Sequence, residues 1–522
     1  MQSMNLWSLS LLLVGTAPCV AYGQSAATTA DQLPALLARF EQYAEEVRIS
    51  WQVPGMALAI VVDDRVAYAK GFGVKEAGGT DPVDPHTIFQ IGSASKAFTS
   101  ALVAMQVDAG KFQWQDRVVD RLPDFMMADP WVTREFLVQD LMAQHSGLPP
   151  YAGDLQSFLG FDRAHMVHSL RYLQPVSSFR STFAYQNGLF LVAAELVEQA
   201  TGASWEENIE ERIFRPLGMT QSTAGLEGFQ TAANVATPHV RDGAAIVPLG
   251  PAWPYHPWVY VYGPAGGVNS NVLDMAQWLR LQLGHGTFEG HQLISADNTD
   301  FVHAPKTVIF AGAQGREQGQ KHPLGGRGTY YAQGWVYVDA APDSIVWHNG
   351  GTSGCKSVVA FVPEANVGIL VLSNLGGTDV PEILAQWFFD RYLGAPDKDW
   401  NQIVHAEAAK SDSSPEVPSR PANPSPPLPL STYAGTYRND VYGELAVRAD
   451  DDALSLTIGP DKIETSLQHW DRDTFVWRLP QFAGIQSLAS FGVSSGEPQD
   501  LTLKELNDAR DGVFRRVTAS GD

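Results

Sequence analysis

The stretch Gly92-Ser93-Ala94-Ser95-Lys96 decides how this chain is interpreted, because a helical pattern begins inside it. Apolar residues recur after it at intervals of three and four until Gly110, and a glycine often ends a helix. The spacing predicts a buried helix with Ser93 in its first turn and Lys96 three residues later on the same face. The repeating positions are Ala94, Ala97, Phe98, Ala101, Leu102 and Met105.

A serine and a lysine on one helical face can act together as nucleophile and base. A lysine in a desolvated pocket is neutral often enough to accept a proton from a serine hydroxyl. The simpler interpretation is a helix-capping Ser93 with a solvent-facing Lys96. Because Ser353-Gly354-Cys355-Lys356 shows the same spacing, this motif alone does not decide between the two.

A second candidate element, Tyr185-Gln186-Asn187, precedes a helical pattern at 189–200. A phenol beside a cationic lysine is favoured in its ionised form, so Tyr185 is a candidate base or leaving-group acid. The Asn187 amide can donate and accept hydrogen bonds toward a substrate amide. The alternative is a loop tyrosine that caps a helix, and Tyr437-Arg438-Asn439 repeats the pattern elsewhere.

The third candidate element is a predicted strand, 344–348, that leads into His348-Asn349-Gly350-Gly351. Glycines there allow a backbone to approach a ligand closely, so Gly350 and Gly351 are candidate substrate-binding residues and His348 is expected to face a cleft. The alternative is a strand-end histidine satisfied by ordinary hydrogen bonds, and His145-Ser146-Gly147 repeats the bare pattern. The combination of the three elements, rather than any one of them, favours a catalytic site.

Strand patterns lie at both ends of the larger part of the chain, and helical patterns, beginning with one at 30–50, dominate between them. Short turns join neighbouring strands, which predicts antiparallel pairing. The predicted fold class is therefore α+β, an antiparallel sheet flanked by helices, although sequence alone does not show that the two strand sets meet. The predicted strands are 56–62, 66–72, 345–348, 357–362 and 367–373.

Proline marks the clearest boundary, since seven of the twenty residues at 411–430 are Pro. Such a segment cannot hold a helix or an inner strand, so we expect a linker at 406–430. After it, 431–522 shows short alternating runs punctuated by Gly, Asp and Asn, which predicts a small all-β barrel. The catalytic domain is then expected at 24–405.

With its three motifs, the chain resembles the serine β-lactamase and penicillin-binding-protein superfamily, specifically the class C-like branch that also holds esterases and D-aminopeptidases. The likeness covers residues 33–393. The barrel resembles the lipocalin-like domain fused to such peptidases, on its pattern and on Tyr433-Ala434-Gly435-Thr436-Tyr437. Further stretches that carry the superfamily likeness are Pro85-His86-Thr87-Ile88-Phe89-Gln90-Ile91-Gly92-Ser93, Gln139-Asp140-Leu141-Met142-Ala143-Gln144-His145-Ser146-Gly147-Leu148-Pro149 and Gly263-Pro264-Ala265-Gly266-Gly267-Val268.

This resemblance implies a β-lactamase/transpeptidase-like fold and an acyl-enzyme mechanism. Ser93 would be acylated, and Lys96 and Tyr185 would share the proton transfers. Asn187 would orient the acyl amide. The backbone N–H groups of Ser93 and Gly351 would form the oxyanion hole, where the loss of one donor costs about 3 kcal/mol of transition-state stabilisation.

His348 departs from the β-lactamase pattern, which has a lysine in the corresponding Lys-Thr-Gly triplet. A largely neutral imidazole binds a substrate carboxylate more weakly than a permanent cation does, and it is a candidate hydrogen-bond partner for Tyr185. We therefore expect a serine hydrolase for amide bonds of small peptides, including D-residue-containing or linearised cyclic ones. The alternatives are a carboxylesterase for short acyl esters, a β-lactamase, and a non-catalytic peptidoglycan-binding protein.

The composition and the remaining motifs narrow the range of partners. With 35 Lys and Arg against 57 Asp and Glu, the net charge of −22 repels nucleic acid and anionic membrane surfaces. The sequence has no zinc, phosphate-loop or dinucleotide motif, so no metal or other cofactor is expected, and it leaves the oligomeric state open. Five aromatic residues are candidates for lining a pocket, or for ordinary loop packing: Trp253, Tyr255, Trp258, Tyr260 and Tyr262.

The first 23 residues contain no Asp, Glu, Lys or Arg, and an apolar run there leads to Ala21-Tyr22-Gly23. That pattern is typical of a secretory signal peptide at 1–23, cleaved before Gln24. We therefore expect a periplasmic or secreted protein without a membrane anchor. Cleavage would remove Cys19 and leave Cys355 alone, which excludes an intramolecular disulfide.

Overall fold

A computed structural model describes residues 28–253, 256–411, 419–450, 452–479, 486–507 and 511–518. The expected signal peptide at 1–23 and the aromatic residue Tyr255 lie outside these ranges. Among the described residues, no helix is both long and apolar enough to cross a membrane.

The catalytic domain is built on one antiparallel sheet of eight strands. Strand Gly55–Val62 pairs with Val367–Ser373, so the two strand sets predicted from the sequence meet within this sheet. The α+β fold class is therefore confirmed. In spatial order the strands are Thr307–Phe310, Gly328–Tyr331, Val336–Asp339, Ser344–Gly351, Lys356–Val362, Val367–Ser373, Gly55–Val62 and Arg65–Gly73.

The side chains of this sheet alternate between its two faces, and both faces pack into a hydrophobic core. Along strand Gly55–Val62, Ala57 and Ala59 enter one hydrophobic core, whereas Leu58 and Ile60 enter the other. Helices cover both faces. The longer ones are Leu33–Ser50, Lys96–Asp108, Gly188–Thr201, Val272–Leu283, Ala296–His303, Gly312–Lys321, Val380–Tyr392 and Trp400–Ser411, and shorter ones are Pro130–Glu135, Arg163–Ser169, Trp205–Ile209, Arg215–Leu217, Leu226–Thr231, Trp258–Val261 and Gly263–Gly266.

The C-terminal part is a closed barrel of eight antiparallel strands, in which the last strand pairs with the first. This architecture confirms the expected all-β domain and fits a lipocalin-like barrel. The strands are Gly435–Asn439, Gly443–Ala449, Leu454–Ile458, Ile463–Asp471, Thr474–Arg478, Gln486–Ser494, Glu497–Leu503 and Val513–Arg516.

The first residues of the segment predicted as a linker, 406–430, are helical. Helix Trp400–Ser411 continues through the expected boundary at 405, because the first proline of the segment is Pro415 and no earlier residue interrupts a helix. Farther along, the Ser425 backbone N–H donates to Asp471 Oδ1 at 2.6 Å, so this part of the segment lies against the barrel.

Candidate active site

A cavity of about 980 Å³ lies where the sheet, the start of helix Lys96–Asp108 and the barrel meet. Its lining includes residues from all three sequence motifs, which the fold brings together from distant parts of the chain. These residues are Ser93, Tyr185, Asn187, His348 and Gly351.

Ser93 lies in a short 3-10 turn, Gly92–Ser95, directly before the predicted helix. This turn requires glycine at its start, because Gly92 has a φ of +53° and an added Cβ would lie 2.7 Å from the backbone nitrogen of Gly351. The close approach sets the backbone of the serine turn against the end of strand Ser344–Gly351.

Lys96 is completely buried, so the alternative of a solvent-facing lysine is wrong. Its Nζ donates to Ser93 Oγ at 3.1 Å, to Asn187 Oδ1 at 2.6 Å and to the Ala265 carbonyl oxygen at 3.0 Å. Burial lowers the pKa of this amine to about 7. When the amine is neutral, two of these acceptors hold its two hydrogens and its lone pair faces the serine hydroxyl.

Asn187 is held by protein groups at both ends of its amide. Its Oδ1 accepts from Lys96, and its Nδ2 donates to Asp154 Oδ2 at 2.5 Å. Each end can form one further hydrogen bond. These contacts show that Asn187 positions Lys96. The sequence predicts only a contact of Asn187 with a substrate amide.

Asp154 is the site residue that the sequence motifs did not identify. Burial raises the pKa of its carboxyl to about 7, against the opposing effects of the Asn187 hydrogen bond and the Lys96 charge. Asp154 begins the 3-10 turn Asp154–Leu159 and belongs to no motif. The available signal is that it is the only charged residue in the stretch 146–161.

Tyr185 is a neutral phenol in this site. Burial raises its pKa well above the ordinary value, and the nearby Tyr331 adds to that rise, while a hydrogen bond with Ser93 opposes it. Lys96 Nζ lies 4.7 Å from the centre of the Tyr185 ring. The expectation that the lysine favours the ionised phenol is therefore wrong, because the loss of solvation outweighs the attraction.

His348 is buried and neutral. Its Nδ1 lies 2.5 Å from the Asn349 carbonyl oxygen, which can only accept, so Nδ1 carries the proton and Nε2 accepts from the Tyr331 hydroxyl at 3.0 Å. Burial, with the Lys96 charge, lowers the pKa of His348 to about 3. The sequence predicts Tyr185 as the hydrogen-bond partner of His348. In the structure the partner is Tyr331 instead.

The two glycines after Asn349 have different surroundings. A Cβ on Gly350 would lie 1.8 Å from the Ile91 carbonyl oxygen, so packing on the serine segment, and not a ligand, requires this glycine. A Cβ on Gly351 would meet no atom within 4 Å, and this residue lines the cavity. The geometry expected for substrate contact is therefore present at Gly351 and absent at Gly350.

Two family models match the sequence of this chain. The family model described as Beta-lactamase matches residues 38–388, more than half of the chain. The protein belongs to the beta-lactamase family. A second model, described as a domain of unknown function, DUF3471, matches residues 419–515 and so spans most of the barrel.

Curated relatives of this beta-lactamase-family protein include a hydrolase and a penicillin-binding protein. Unguisins hydrolase ungD' from Aspergillus campestris (strain IBT 28561) is 28% identical over 438 residues, which cover 79% of this chain and 78% of the relative. Penicillin-binding protein 4 from Amycolatopsis lactamdurans is 27% identical over 408 residues, which cover 77% of this chain and 98% of the relative.

Solved structures share the fold. The octameric penicillin-binding protein homologue from Pyrococcus abyssi aligns with a TM-score of 0.60 at 21% identity, over 92% of this chain and 100% of that protein. SurE with D-Leu aligns with a TM-score of 0.53 at 19% identity, over 93% of this chain and 100% of that protein.

A second lysine faces the cavity of this beta-lactamase-family protein. Lys356 Nζ lies 2.8 Å from Glu382 Oε1, and Asn349 Nδ2 donates to the same oxygen at 2.8 Å. Burial by itself lowers the pKa of Lys356. The charge and the hydrogen bond of Glu382 have a larger, opposite effect, so the pKa lies above its ordinary value. Lys356 is therefore a cation and not a base, which distinguishes the second Ser-x-x-Lys spacing from the first, and the Ser353 hydroxyl accepts from Trp258 Nε1 at 2.9 Å.

The described aromatic residues before Gly263 divide between the cavity and ordinary packing. Trp258 and Tyr262 line the cavity, and Phe158 stacks on Trp258 with ring centres 4.5 Å apart. Tyr260 instead donates to Asn269 Oδ1 at 2.8 Å.

The part of the chain that the structure describes contains no cluster of side chains suited to bind a metal ion. Within those ranges, no three His, Cys, Asp or Glu side chains are grouped as ligands of one ion.

Proposed function

We propose that this serine hydrolase cleaves amide bonds of small peptides through an acyl-enzyme on Ser93. The observation that carries the proposal is the contact of the buried Lys96 amine with Ser93 Oγ at 3.1 Å. The three acceptors around this amine are uncharged oxygens, so burial lowers its pKa to about 7 and makes a neutral base available near physiological pH.

In acylation, Lys96 takes the hydroxyl proton while Ser93 Oγ attacks the carbonyl carbon of the substrate. The carbonyl oxygen becomes an oxyanion that the backbone N–H groups of Ser93 and Gly351 stabilise. Gly351 suits this role because its backbone nitrogen lies beside the serine turn and the space at its Cα is open.

The leaving amine needs a proton before the bond breaks, and the neutral phenol of Tyr185 is placed to supply it. Its hydroxyl lies within hydrogen-bonding reach of Ser93. The phenol then regains a proton from the Lys96 ammonium, so the proton removed from the serine ends on the amine. Water attacks the acyl-enzyme by the same transfers in reverse.

Asp154 acts on this chemistry through Lys96. Its charge raises the pKa of the lysine, opposing burial, and its hydrogen bond fixes the Asn187 amide that accepts from Nζ. We infer that Asp154 sets the pH range in which Lys96 is a base.

Two observations support a peptide substrate. The cavity is lined largely by apolar and aromatic side chains, which suits amino-acid side chains. At position 348 the neutral imidazole attracts a substrate carboxylate less than a lysine there would, and Lys356, which also lines the cavity, is already paired with Glu382. The relatives named as an unguisins hydrolase and a penicillin-binding protein agree with an acyl-transfer site. The apolar lining and neutral His348 also favour a second candidate, hydrolysis of short acyl esters.

The first experiment maps the reacting residue and the substrate class together. Purified protein is treated with a fluorophosphonate or a reporter penicillin, and the adduct is located by peptide mass spectrometry, with Ser93→Ala as control. Labelling at another residue, or full activity of Ser93→Ala, would overturn the proposal. Rates on D- and L-amino-acid amides, linearised cyclic peptides and p-nitrophenyl esters then separate peptidase from esterase.

We also propose that the protein acts in the periplasm or is secreted, on the strength of the N-terminal pattern. N-terminal sequencing of the protein produced in its native host tests this proposal. A mature chain beginning at Gln24 supports it, and an intact N-terminus on a cytoplasmic protein contradicts it.

A further inference from the structure

The wall of the catalytic cavity carries little positive charge. Among its described lining residues, Lys356 is the only lysine or arginine. The imidazole of His348 on the same wall is neutral, because burial lowers its pKa to about 3. A substrate carboxylate that enters the cavity would therefore look to Lys356 as its cationic partner on this wall. The acidic residues of the lining are Asp154, Glu505 and Asp511.

Lys356 lies close to the reacting groups. Its strand, Lys356–Val362, pairs with Ser344–Gly351, and in that register Lys356 is directly opposite Gly351. Gly351 is the residue whose backbone N–H is proposed to bind the oxygen of the substrate carbonyl group. The charge of Lys356 also contributes to the low pKa of His348. A substrate carbonyl bound at Gly351 therefore places its neighbouring groups near the Lys356 amine.

Glu382, in the first turn of helix Val380–Tyr392, occupies this amine. Lys356 Nζ lies 2.8 Å from Glu382 Oε1, and the lysine and glutamate side chains are 17% and 7% exposed. The same oxygen accepts from Asn349 Nδ2 at 2.8 Å, which fixes the carboxylate in place. The charge of Asp379 further favours the ammonium form of the lysine. Glu382 thus holds the place in which a substrate carboxylate would contact Lys356.

The contribution of this ion pair to stability does not explain its presence at the cavity. Glu382 Oε2 is buried and has no hydrogen-bond partner within the described part of the chain. Burying a carboxylate oxygen without a donor lowers stability, and apolar side chains of similar volume often replace a buried ion pair without loss. A role in the choice of substrate accounts for a paired lysine and glutamate on a wall that a substrate contacts.

Building on the acyl-enzyme proposed above, we propose that Glu382 is a specificity-determining residue that selects against substrates with a carboxylate beside the scissile bond. A substrate carboxylate must displace Glu382 from Lys356 or lie next to it, where like charges repel. Peptides that are uncharged around the cleaved bond, such as amidated peptides or bonds inside a longer chain, avoid this cost.

The test compares kcat/KM within two pairs of peptides, a C-terminal acid against its amide and an N-succinyl against an N-acetyl peptide. The native enzyme prefers the neutral member of each pair. Glu382→Gln keeps an oxygen for Asn349 but removes the competing charge. It raises the ratio of acid to neutral peptide about tenfold for the pair whose carboxylate reaches Lys356. Asp242→Asn, which removes an exposed carboxylate, is the control and leaves both ratios unchanged.

A double variant identifies the cation responsible. Lys356→Met combined with Glu382→Gln removes the amine, so the gain of Glu382→Gln on the acid disappears. Glu382→Asp withdraws the carboxylate by one methylene and raises the ratio in the same direction, which keeps the test decisive if Glu382→Gln does not fold. Unchanged ratios in the folded single variants, or a gain that persists in the double variant, overturn the proposal.

Fluorophosphonate labelling keeps this proposal distinguishable from the acyl-enzyme on which it rests. A native enzyme that is labelled at Ser93, together with unchanged ratios in the Glu382 variants, overturns the role of Glu382 alone. A native enzyme that is not labelled at Ser93 overturns the acyl-enzyme.

Discussion

Two lysines of the catalytic region, the buried Lys96 and the half-buried Lys356, have opposite character. Lys96 donates to three uncharged oxygens, and burial lowers its pKa to about 7. Lys356 lies 2.8 Å from the Glu382 carboxylate, which offsets burial and raises its pKa. The difference shows that burial alone does not determine the charge of a lysine. A carboxylate in direct contact keeps it cationic, whereas neutral acceptors leave it able to act as a base.

Replacing each lysine should give the largest contrast. Lys96→Met removes the proposed base and should lower kcat/KM on an amide substrate about 1,000-fold or more. Lys356→Met, combined with Glu382→Gln so that no buried carboxylate is left unpaired, should lower it less than about tenfold. Steady-state kinetics at pH 8 measure both, and thermal unfolding checks that each variant folds. Similar losses in the two variants would remove the distinction between the lysines.

Strand Ser344–Gly351 ends in two adjacent glycines with different roles. Gly350 packs against the serine segment, whereas Gly351 lines the cavity. Gly350→Ala places a Cβ 1.8 Å from the Ile91 carbonyl oxygen and should lower the free energy of unfolding by about 3 kcal/mol. Gly351→Ala meets no atom within 4 Å and should leave stability unchanged while reducing kcat, because the methyl group enters the cavity. Chemical denaturation and kinetics test the pair, and equal stability of the two variants would contradict the assignment.

Asp154→Asn should change the pH dependence of kcat/KM by a smaller amount than the lysine substitutions change its size. The carboxylate charge raises the pKa of Lys96, so its removal should lower that pKa and move the acidic limb of the kcat/KM profile to lower pH. The change should be smaller at pH 6 than near pH 7, because the Asp154 carboxyl itself has a pKa of about 7 and is largely uncharged at pH 6. Asp242→Asn, at an exposed position, is the control. A limb that stays in place or moves to higher pH would exclude this role.

His348 should contribute least to any pH dependence. Because burial lowers its pKa to about 3, its ring should remain neutral with the proton on Nδ1 between about pH 5 and pH 8. NMR of histidine-labelled protein, assigned with His348→Gln, follows the ring directly. A titration of His348 near its ordinary pKa would show that the site is more hydrated than its geometry indicates.

The local features of the fold and the site could be predicted from the sequence. The helix after Ser93 and the strands around the turn at Asp63 follow from residue spacing, and the structure places them within a few residues of the predicted bounds. The pairing of Gly55–Val62 with Val367–Ser373 joins segments about 300 residues apart, and no local pattern encodes such a contact.

The electrostatics of the site could not be predicted in the same way. Asp154 belongs to no motif, and the Tyr331 partner of His348 lies on a neighbouring part of the sheet. The neutral state of Tyr185 depends on burial by side chains from several elements. Each of these properties arises from tertiary packing, whereas motif spacing reports only which residue types are present.

The role of Lys96 as the base for Ser93 can be measured through the rate at which a fluorophosphonate modifies Ser93, followed as a function of pH by intact-protein mass spectrometry. We expect a single adduct on Ser93 whose formation rate rises to a plateau with a midpoint near the Lys96 pKa of about 7, and almost no adduct in Lys96→Met. An adduct on another residue, or a Lys96→Met variant that reacts at the native rate, would contradict it.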